Sequence, residues 1–321
     1  MIRITNLRKS FGHHMVVQDV SFAVERGETL ALLGPNGSGK TTTLKCLVGL
    51  SLPDAGEIRI GGWNIAEHAQ AARNLVGYLP QRVSLPENLT ARETLRFYGR
   101  LRKIPPQRIE ELLAQTQFSL NGCSDRPVGT FSGGMLQRLG LAIACLPDTP
   151  ILILDEPMIN LDPQGTLHFR EYLKSLKGQG KTIVLSSHIL SDVEQLADRV
   201  AILVAGKLVA LKSIETLRLE MLRWSRLHIR VAGNADRWQD AARKAGAESV
   251  IADGNSLWIV SEPARRYEIL RTVEAAGATI LQFFTTEPSL EDIYLRYAHE
   301  QIAAGGDSSG RTAGRVPGAA G

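Results

Sequence analysis

Only three cysteines occur in 321 residues: Cys46, Cys123 and Cys145. They have no ligand-like spacing, and Cys46 and Cys145 stand in apolar runs. They are therefore expected to be core residues of a reducing compartment, not a disulfide framework. Long apolar runs are missing too. Nowhere is there a stretch of about 18 apolar residues, so nothing in the sequence spans a bilayer as a helix. A membrane role must come through another polypeptide. The start, Met1-Ile2-Arg3-Ile4-Thr5, is interrupted at once by charge and polarity, which argues against a signal peptide. Charge of one sign is also scarce. Lys and Arg number 37 against 33 Asp and Glu, a formal +4. With no dense basic block, the charge gives no argument for nucleic acid as a direct partner.

What is present suffices for a sizeable core. Hydrophobic residues make up 44% of the chain, and the length suits one large domain or a large and a small one. The chain is organised around Gly34-Pro35-Asn36-Gly37-Ser38-Gly39-Lys40-Thr41. An apolar run, Thr29–Leu33, precedes it, and a helix-compatible segment from Thr42 to Val48 follows. This fits G-x-x-x-x-G-K-[ST], the phosphate-binding P-loop. The glycines allow a tight turn whose N–H groups point at phosphate oxygens. The helix adds its positive N-terminal end. Lys40 supplies charge to the terminal phosphates, and Thr41 a hydroxyl for Mg²⁺.

The first ninety residues are expected to be short strands around one helix: Ile2–Leu7, Val16–Val24, Thr29–Leu33 and Glu57–Ile60. From Leu89 the pattern turns helical. Thr90-Ala91-Arg92-Glu93 has capping-box spacing, and residues from about 88 to 145 form a helical insert broken at Pro105-Pro106. Arginines 92, 96, 100 and 102 are the solvated face of that insert, or else part of a surface for a membrane partner's helix. Ile151–Leu154 and Lys181–Ser186 have the continuous apolar character of strands buried on both faces. Asp162-Pro163 predicts a helix start, Ser191–Glu194 a second capping box, and Ala205-Gly206-Lys207 a hairpin turn. Strands alternating with helices indicate a largely parallel sheet. From about residue 213 a second unit runs in the order βαββαβ, as in a ferredoxin-like module. A helix is expected over Leu290–Glu300, and disorder over 301–321.

Two further places carry chemistry. The strand Ile151–Leu154 ends in Asp155-Glu156. An acid at the end of a buried strand beside a P-loop is the expected Mg²⁺ holder, and alternation makes the two carboxylates diverge. Asp155 is assigned to the metal. Glu156 is assigned to the attacking water, the plainer alternative being a cap on the next segment. Phe131-Ser132-Gly133-Gly134-Met135 leads into a helix, and Ser-Gly-Gly at a helix start forms a second anion site. His13 and His14, adjacent in a turn, are most simply solvated.

With these motifs in this order, residues 1–212 resemble the ATP-binding cassette (ABC) family. Gly34–Thr41 matches Walker A, with Thr42 following, and Ile151–Glu156 matches Walker B with its catalytic glutamate. Phe131–Met135 is similar to the signature motif usually written LSGGQ, with Phe131 and Met135 departing from it. Gln81 matches the Q-loop, a Mg²⁺ and water contact, and Asn160-Leu161-Asp162 the D-loop. Met158-Ile159-Asn160 stands where Thr-Ser-Gly is common. His188 matches the switch histidine, and Phe11 sits where the family stacks a ring on adenine.

The resemblance implies a P-loop cassette with a mixed sheet core, an antiparallel β subdomain and a helical insert. It implies ATP and Mg²⁺, with Glu156, His188 and Gln81 at the reaction. ATP is held by Phe11, the loop from Gly34 to Thr42, Ser132, Gly133, Gly134 and Asp162, and the metal by Thr41, Gln81 and Asp155. It implies a homodimer closing two ATPs, and a separate transmembrane permease that holds the chain at the cytoplasmic face of the cell membrane. The ending Glu287–Tyr294 resembles the ABC-2 exporter group. Tyr78–Gln81 with Glu93–Leu101 resembles the NosF type, which serves copper-site maturation. The alternative is a soluble mechanical ABC ATPase acting on nucleic acid or ribosomes.

Overall fold

The computed structural model describes residues 1–115, 118, 120, 122–286, 288, 293, 296 and 297. The chain separates into two units, Met1–Ile214 and one beginning at Glu215.

In the first unit, β1 (Ile2–Phe11) and β2 (His14–Val24) form an antiparallel hairpin closed at Phe11 and His14. Next come β3 (Thr29–Leu33), α1 (Lys40–Leu47), β4 (Ala55–Ile60), β5 (Trp63–Asn64), α2 (Ala69–Asn74) and β6 (Val76–Leu79). The helical insert carries α3 (Ala91–Leu101), α4 (Pro106–Ala114) and α5 (Gly133–Cys145). β7 (Ile151–Leu154), α6 (Pro163–Gly178), β8 (Thr182–Ser187), α7 (Leu190–Leu196), β9 (Arg199–Val204) and β10 (Lys207–Ser213) complete the unit. The core sheet has the order β10-β9-β3-β8-β7-β6, parallel except for β10. Every residue of β3, β7 and β8 is buried, which is why these strands lack polar alternation. A second sheet, β2-β1-β4-β5, is antiparallel. Ile2, Ile4, Val17 and Ile58 from that sheet share one hydrophobic core with Leu44 of α1 and Leu30, Ile153 and Val184 of the parallel sheet. The helix that follows the glycine-rich loop is thereby anchored in the core.

The second unit contains α8 (Ile214–Trp224, its first residue the last of the first unit), β11 (Arg226–Val231), α9 (Gln239–Lys244), β12 (Ser249–Asp253), β13 (Ser256–Val260), α10 (Arg266–Ala275) and β14 (Ile280–Thr286). Its sheet is antiparallel throughout, in the order β12-β13-β11-β14. Numbered within the unit this is 2-3-1-4, the ferredoxin-like arrangement. Leu227, Ile229, Val250, Leu257 and Ile259 pack on Ala242, Ile269 and Val273 of the two helices.

Four local expectations need correction. The first ninety residues hold two helices, not one. In α2 only Ala72 is buried, so no apolar period announces it. β6 is hidden by Gly77, where a Cβ would lie 2.1 Å from the Ala144 carbonyl oxygen; the strand needs glycine because α5 packs directly on it. α7 does not start from a box at Ser191–Glu194. It starts at Leu190, and the preceding N–H, that of Ile189, donates to Ser187 Oγ at 2.9 Å. The helix α8 also lies between the last cassette strand and β11, where none was expected. Of the helix expected over Leu290–Glu300 only 293, 296 and 297 are described, and they are helical. The segment 301–321 lies outside the described residues.

Candidate active site

The loop between β3 and α1 is shaped by contacts that only small residues permit. A Cβ on Gly34 would lie 2.3 Å from the Leu203 carbonyl oxygen, and one on Gly39 2.8 Å from that of Val16. Gly39 also has φ 99°, which an L side chain resists. The β9–β10 turn braces the loop from outside. Gly206 N donates to Ser38 O at 3.2 Å, and Gln18 N to Gly206 O at 2.7 Å. Ala205 and Gly206 both have positive φ, at 47° and 80°, the I′ conformation suited to a two-residue hairpin.

Within this frame Lys40 is curled back into the loop. Its ammonium donates to Gly34 O at 2.7 Å and Pro35 O at 3.2 Å, and lies 3.6 Å from Glu156 Oε1. Burial lowers its basicity, opposed by the charges of Glu156 and Asp155. Pro35, Asn36 and Gly37 form the exposed rim, and Thr41 and Thr42 are half-buried in the first turn of α1.

Asp155 is fully buried. Its Oδ1 accepts from Thr41 Oγ1 at 3.0 Å and Ser186 Oγ at 2.7 Å, while Oδ2 is buried without a partner. Burial raises the Asp155 carboxyl above the usual range, against the two hydroxyl hydrogen bonds, which lower it. Glu156, next in sequence, turns the opposite way. Its φ is 47°, and its Oε2 lies 2.9 Å from His188 Nδ1. Lys40, Thr41, Asp155, Glu156 and His188, drawn from α1 and the ends of β7 and β8, thus form one connected group.

Other expected site residues lie apart from it. Ser132 caps α5, its Oγ accepting from Met135 N at 3.3 Å. Gly133 and Gly134 pack on Asn160 of the same chain. That residue holds φ 65°, a left-handed value asparagine tolerates well. Asp162 caps α6, with Oδ1 accepting from Gly165 N at 2.9 Å. Phe131, in the signature's first position, is buried at 9% exposure. Gln81 is exposed and lines a separate cleft with Phe131, Gly133, Gln137 and Asn160. Phe11 is 55% exposed at the hairpin end, under the Lys9 ammonium 5.5 Å from its ring centroid.

Two residues of this neighbourhood, both beside recognised motifs, were given no role at the site by the sequence alone. Ser186 bridges Asp155 and the Glu156 backbone, and the buried Gln137 donates to Pro157 O at 3.1 Å. The only sequence signal for either is adjacency, to His188 and to the Ser-Gly-Gly motif.

Comparison with known proteins decides the family. A family model described as ABC transporter matches residues 17–159. The Nod factor export ATP-binding protein I of Burkholderia lata is 37% identical over 304 residues, 94% of this chain and 98% of that protein. The chain belongs to the ABC transporter ATP-binding family. It is an ATP-binding, ATP-hydrolysing subunit of a transporter, and the relatives give the soluble mechanical alternative no support. The linearmycin resistance ATP-binding protein LnrL of Bacillus subtilis is 30% identical over 92% of this chain and 97% of its own length. A solved ATP-binding subunit of an ABC transporter is 32% identical, with TM-score 0.63, over 68% of this chain and 92% of that one. The dimeric post-hydrolysis cassette MJ0796, bound to ADP and Pi, is 26% identical with TM-score 0.60, over 67% of this chain and 99% of that one. The NosF-type resemblance gains no support from these relatives. Among the described residues no helix is long and apolar enough to cross a membrane.

Proposed function

We propose that this ABC ATPase drives export by closing as a homodimer on two ATP molecules and pushing on a separate transmembrane permease. The observation that carries the chemistry is the placement of Glu156 between Lys40 and His188, 3.6 Å and 2.9 Å away. The loop from Gly34 to Thr42 cradles the phosphates, with Lys40 turning from the loop carbonyls to the β- and γ-oxygens. Phe11 stacks on the base. Thr41 and Asp155 are hard oxygen donors suited to Mg²⁺, and the unpartnered Asp155 Oδ2 fits that role. Bound there, Mg²⁺ supplies charge neutralisation to the phosphates.

Glu156 accepts the proton of the water that attacks the γ-phosphorus, and His188 holds that carboxylate and the transferring phosphoryl group in line. Ser132, Gly133 and Gly134 of a second copy complete each site as an anion-binding helix start, with Asp162 nearby. The dimeric MJ0796 cassette supports this arrangement. Gln81, exposed beside the helical insert, belongs to the permease-facing side, so the chain sits peripherally at the cytoplasmic face of the membrane. The export direction rests on relatives named for Nod factor export and linearmycin resistance. Affinity purification from detergent extracts tests the reading. It predicts co-purification of a polytopic membrane protein, and recovery of the chain with ribosomes or nucleic acid alone contradicts it.

A further inference from the structure

Glu156 is an unlikely residue for the backbone it occupies. It has φ 47°, a region costly for a side chain that is neither glycine nor asparagine. It also precedes Pro157, which narrows its conformations further. Such a residue persists only where its surroundings over-determine it.

Two buried side chains do so. Ser186 Oγ accepts from Glu156 N at 2.8 Å and donates to Asp155 Oδ1 at 2.7 Å. A hydroxyl has a single proton, so these two bonds fix its orientation completely. On the far side, Gln137 Nε2 donates to Pro157 O at 3.1 Å. Ser186 is fully buried and Gln137 is 3% exposed. The backbone is thus gripped before and after Glu156, once from β8 and once from the helix that begins with Ser132.

We propose that Ser186 and Gln137 are positioning residues for ATP hydrolysis, forming a clamp that holds Asp155 and Glu156 in their divergent directions. Ser186 is the principal member, because one atom touches both acidic residues. Without it, the Glu156 N–H and the Asp155 Oδ1 lose a shared partner in a water-poor setting. The turn is then free to relax and carry the Glu156 carboxylate away from Lys40 and His188. Gln137 ties the same turn to the helix that, in the dimer, faces the other ATP. The proposal rests on the reading of Glu156 as general base.

The test uses the full chain and the variants S186A, S186T, Q137M and E156Q. Steady-state ATP hydrolysis is measured beside the affinity for a fluorescent ATP analogue without Mg²⁺. S186A, which removes atoms and adds none, is expected to fold. Its kcat should fall about tenfold or more, with analogue affinity changed less than about twofold. Q137M should likewise lower kcat while leaving analogue affinity within about twofold. S186T should recover most of the rate; if its methyl crowds the strand, S186C, which keeps a donor there, takes its place. Wild-type kcat in S186A overturns the proposal, as does a loss of affinity equal to the loss of kcat. E156Q separates the two readings. Near-normal turnover in E156Q removes the general-base assignment itself, whereas an inactive E156Q beside a fully active S186A removes only the clamp.

Discussion

His188 Nδ1 lies 2.9 Å from Glu156 Oε2, although 32 residues separate the two in sequence. The contact joins the ends of two adjacent parallel strands, so it depends on the register in which Leu154 faces Leu185. Glu156→Gln should leave ATP binding intact and stop turnover, leaving a closed dimer. Light scattering with and without ATP reads the dimer, and phosphate release reads turnover. Near-normal turnover removes Glu156 from the role of base. His188→Ala should lower kcat by about two to four orders of magnitude, the share that general acid–base groups typically supply.

The Lys40 ammonium is bonded inside the glycine-rich loop, through Gly34 O and Pro35 O. Lys40→Ala removes a charge-assisted donor to phosphate, an interaction of about 1.5–3 kcal/mol. Nucleotide affinity should fall about tenfold to a hundredfold. Unchanged binding of a fluorescent nucleotide contradicts the assignment of this loop.

The helical insert offers a stability test away from the nucleotide. Thr90 Oγ1 accepts from Glu93 N at 3.2 Å, and Glu93 Oε2 accepts from Thr90 N at 2.9 Å. Thr90→Ala breaks this reciprocal cap and should cost about 1 kcal/mol. Urea denaturation followed by circular dichroism measures it, and an unchanged midpoint contradicts the cap's contribution.

A pH dependence should reside in the second unit. His228 is buried between Trp258 and Phe284, with ring centroids 4.1 Å and 4.5 Å away, and neither ring nitrogen has a hydrogen-bond partner among the described residues. Burial, with Arg230 as the lesser cause, lowers its pKa from the ordinary 6.5. The unfolded chain therefore takes up the proton first as pH falls. The stability contributed by neutral His228 is present above about pH 6.5 and is lost as pH drops below it. Thermal melting from pH 7.5 to 5 should show a steeper decline for the wild type than for His228→Phe. Parallel declines contradict the prediction.

Features written in consecutive residues were the legible ones. The glycine-rich loop, the caps at Thr90, Ser132 and Asp162 and the turn at Ala205-Gly206 all announce themselves over a few positions, because each is a local solution to a local hydrogen-bonding need. Asp155 and Glu156 were legible because a fully apolar strand ends in charge. α2 was not, since it buries one alanine and has no period to detect. β6 was obscured by the glycine that close packing on α5 demands. Ser186 and Gln137 were hidden for a different reason. Their partners lie 30 or 31 and 20 residues away, and no spacing rule links a hydroxyl on one strand to a backbone N–H beyond the end of its neighbour.

The brace on the glycine-rich loop bears on how the protein can be cut. The last residue of the connected site is His188, and the family model ends at residue 159, yet Leu203 and Gly206 press on the loop at Gly34, Ser38 and Gly39. β9 also pairs along β3 directly below that loop. A fragment ending soon after His188 keeps every motif and loses the wall that shapes the first one. The shortest piece able to hold nucleotide should therefore extend through the β9–β10 hairpin to Ser213, well past the residues by which the site is recognised.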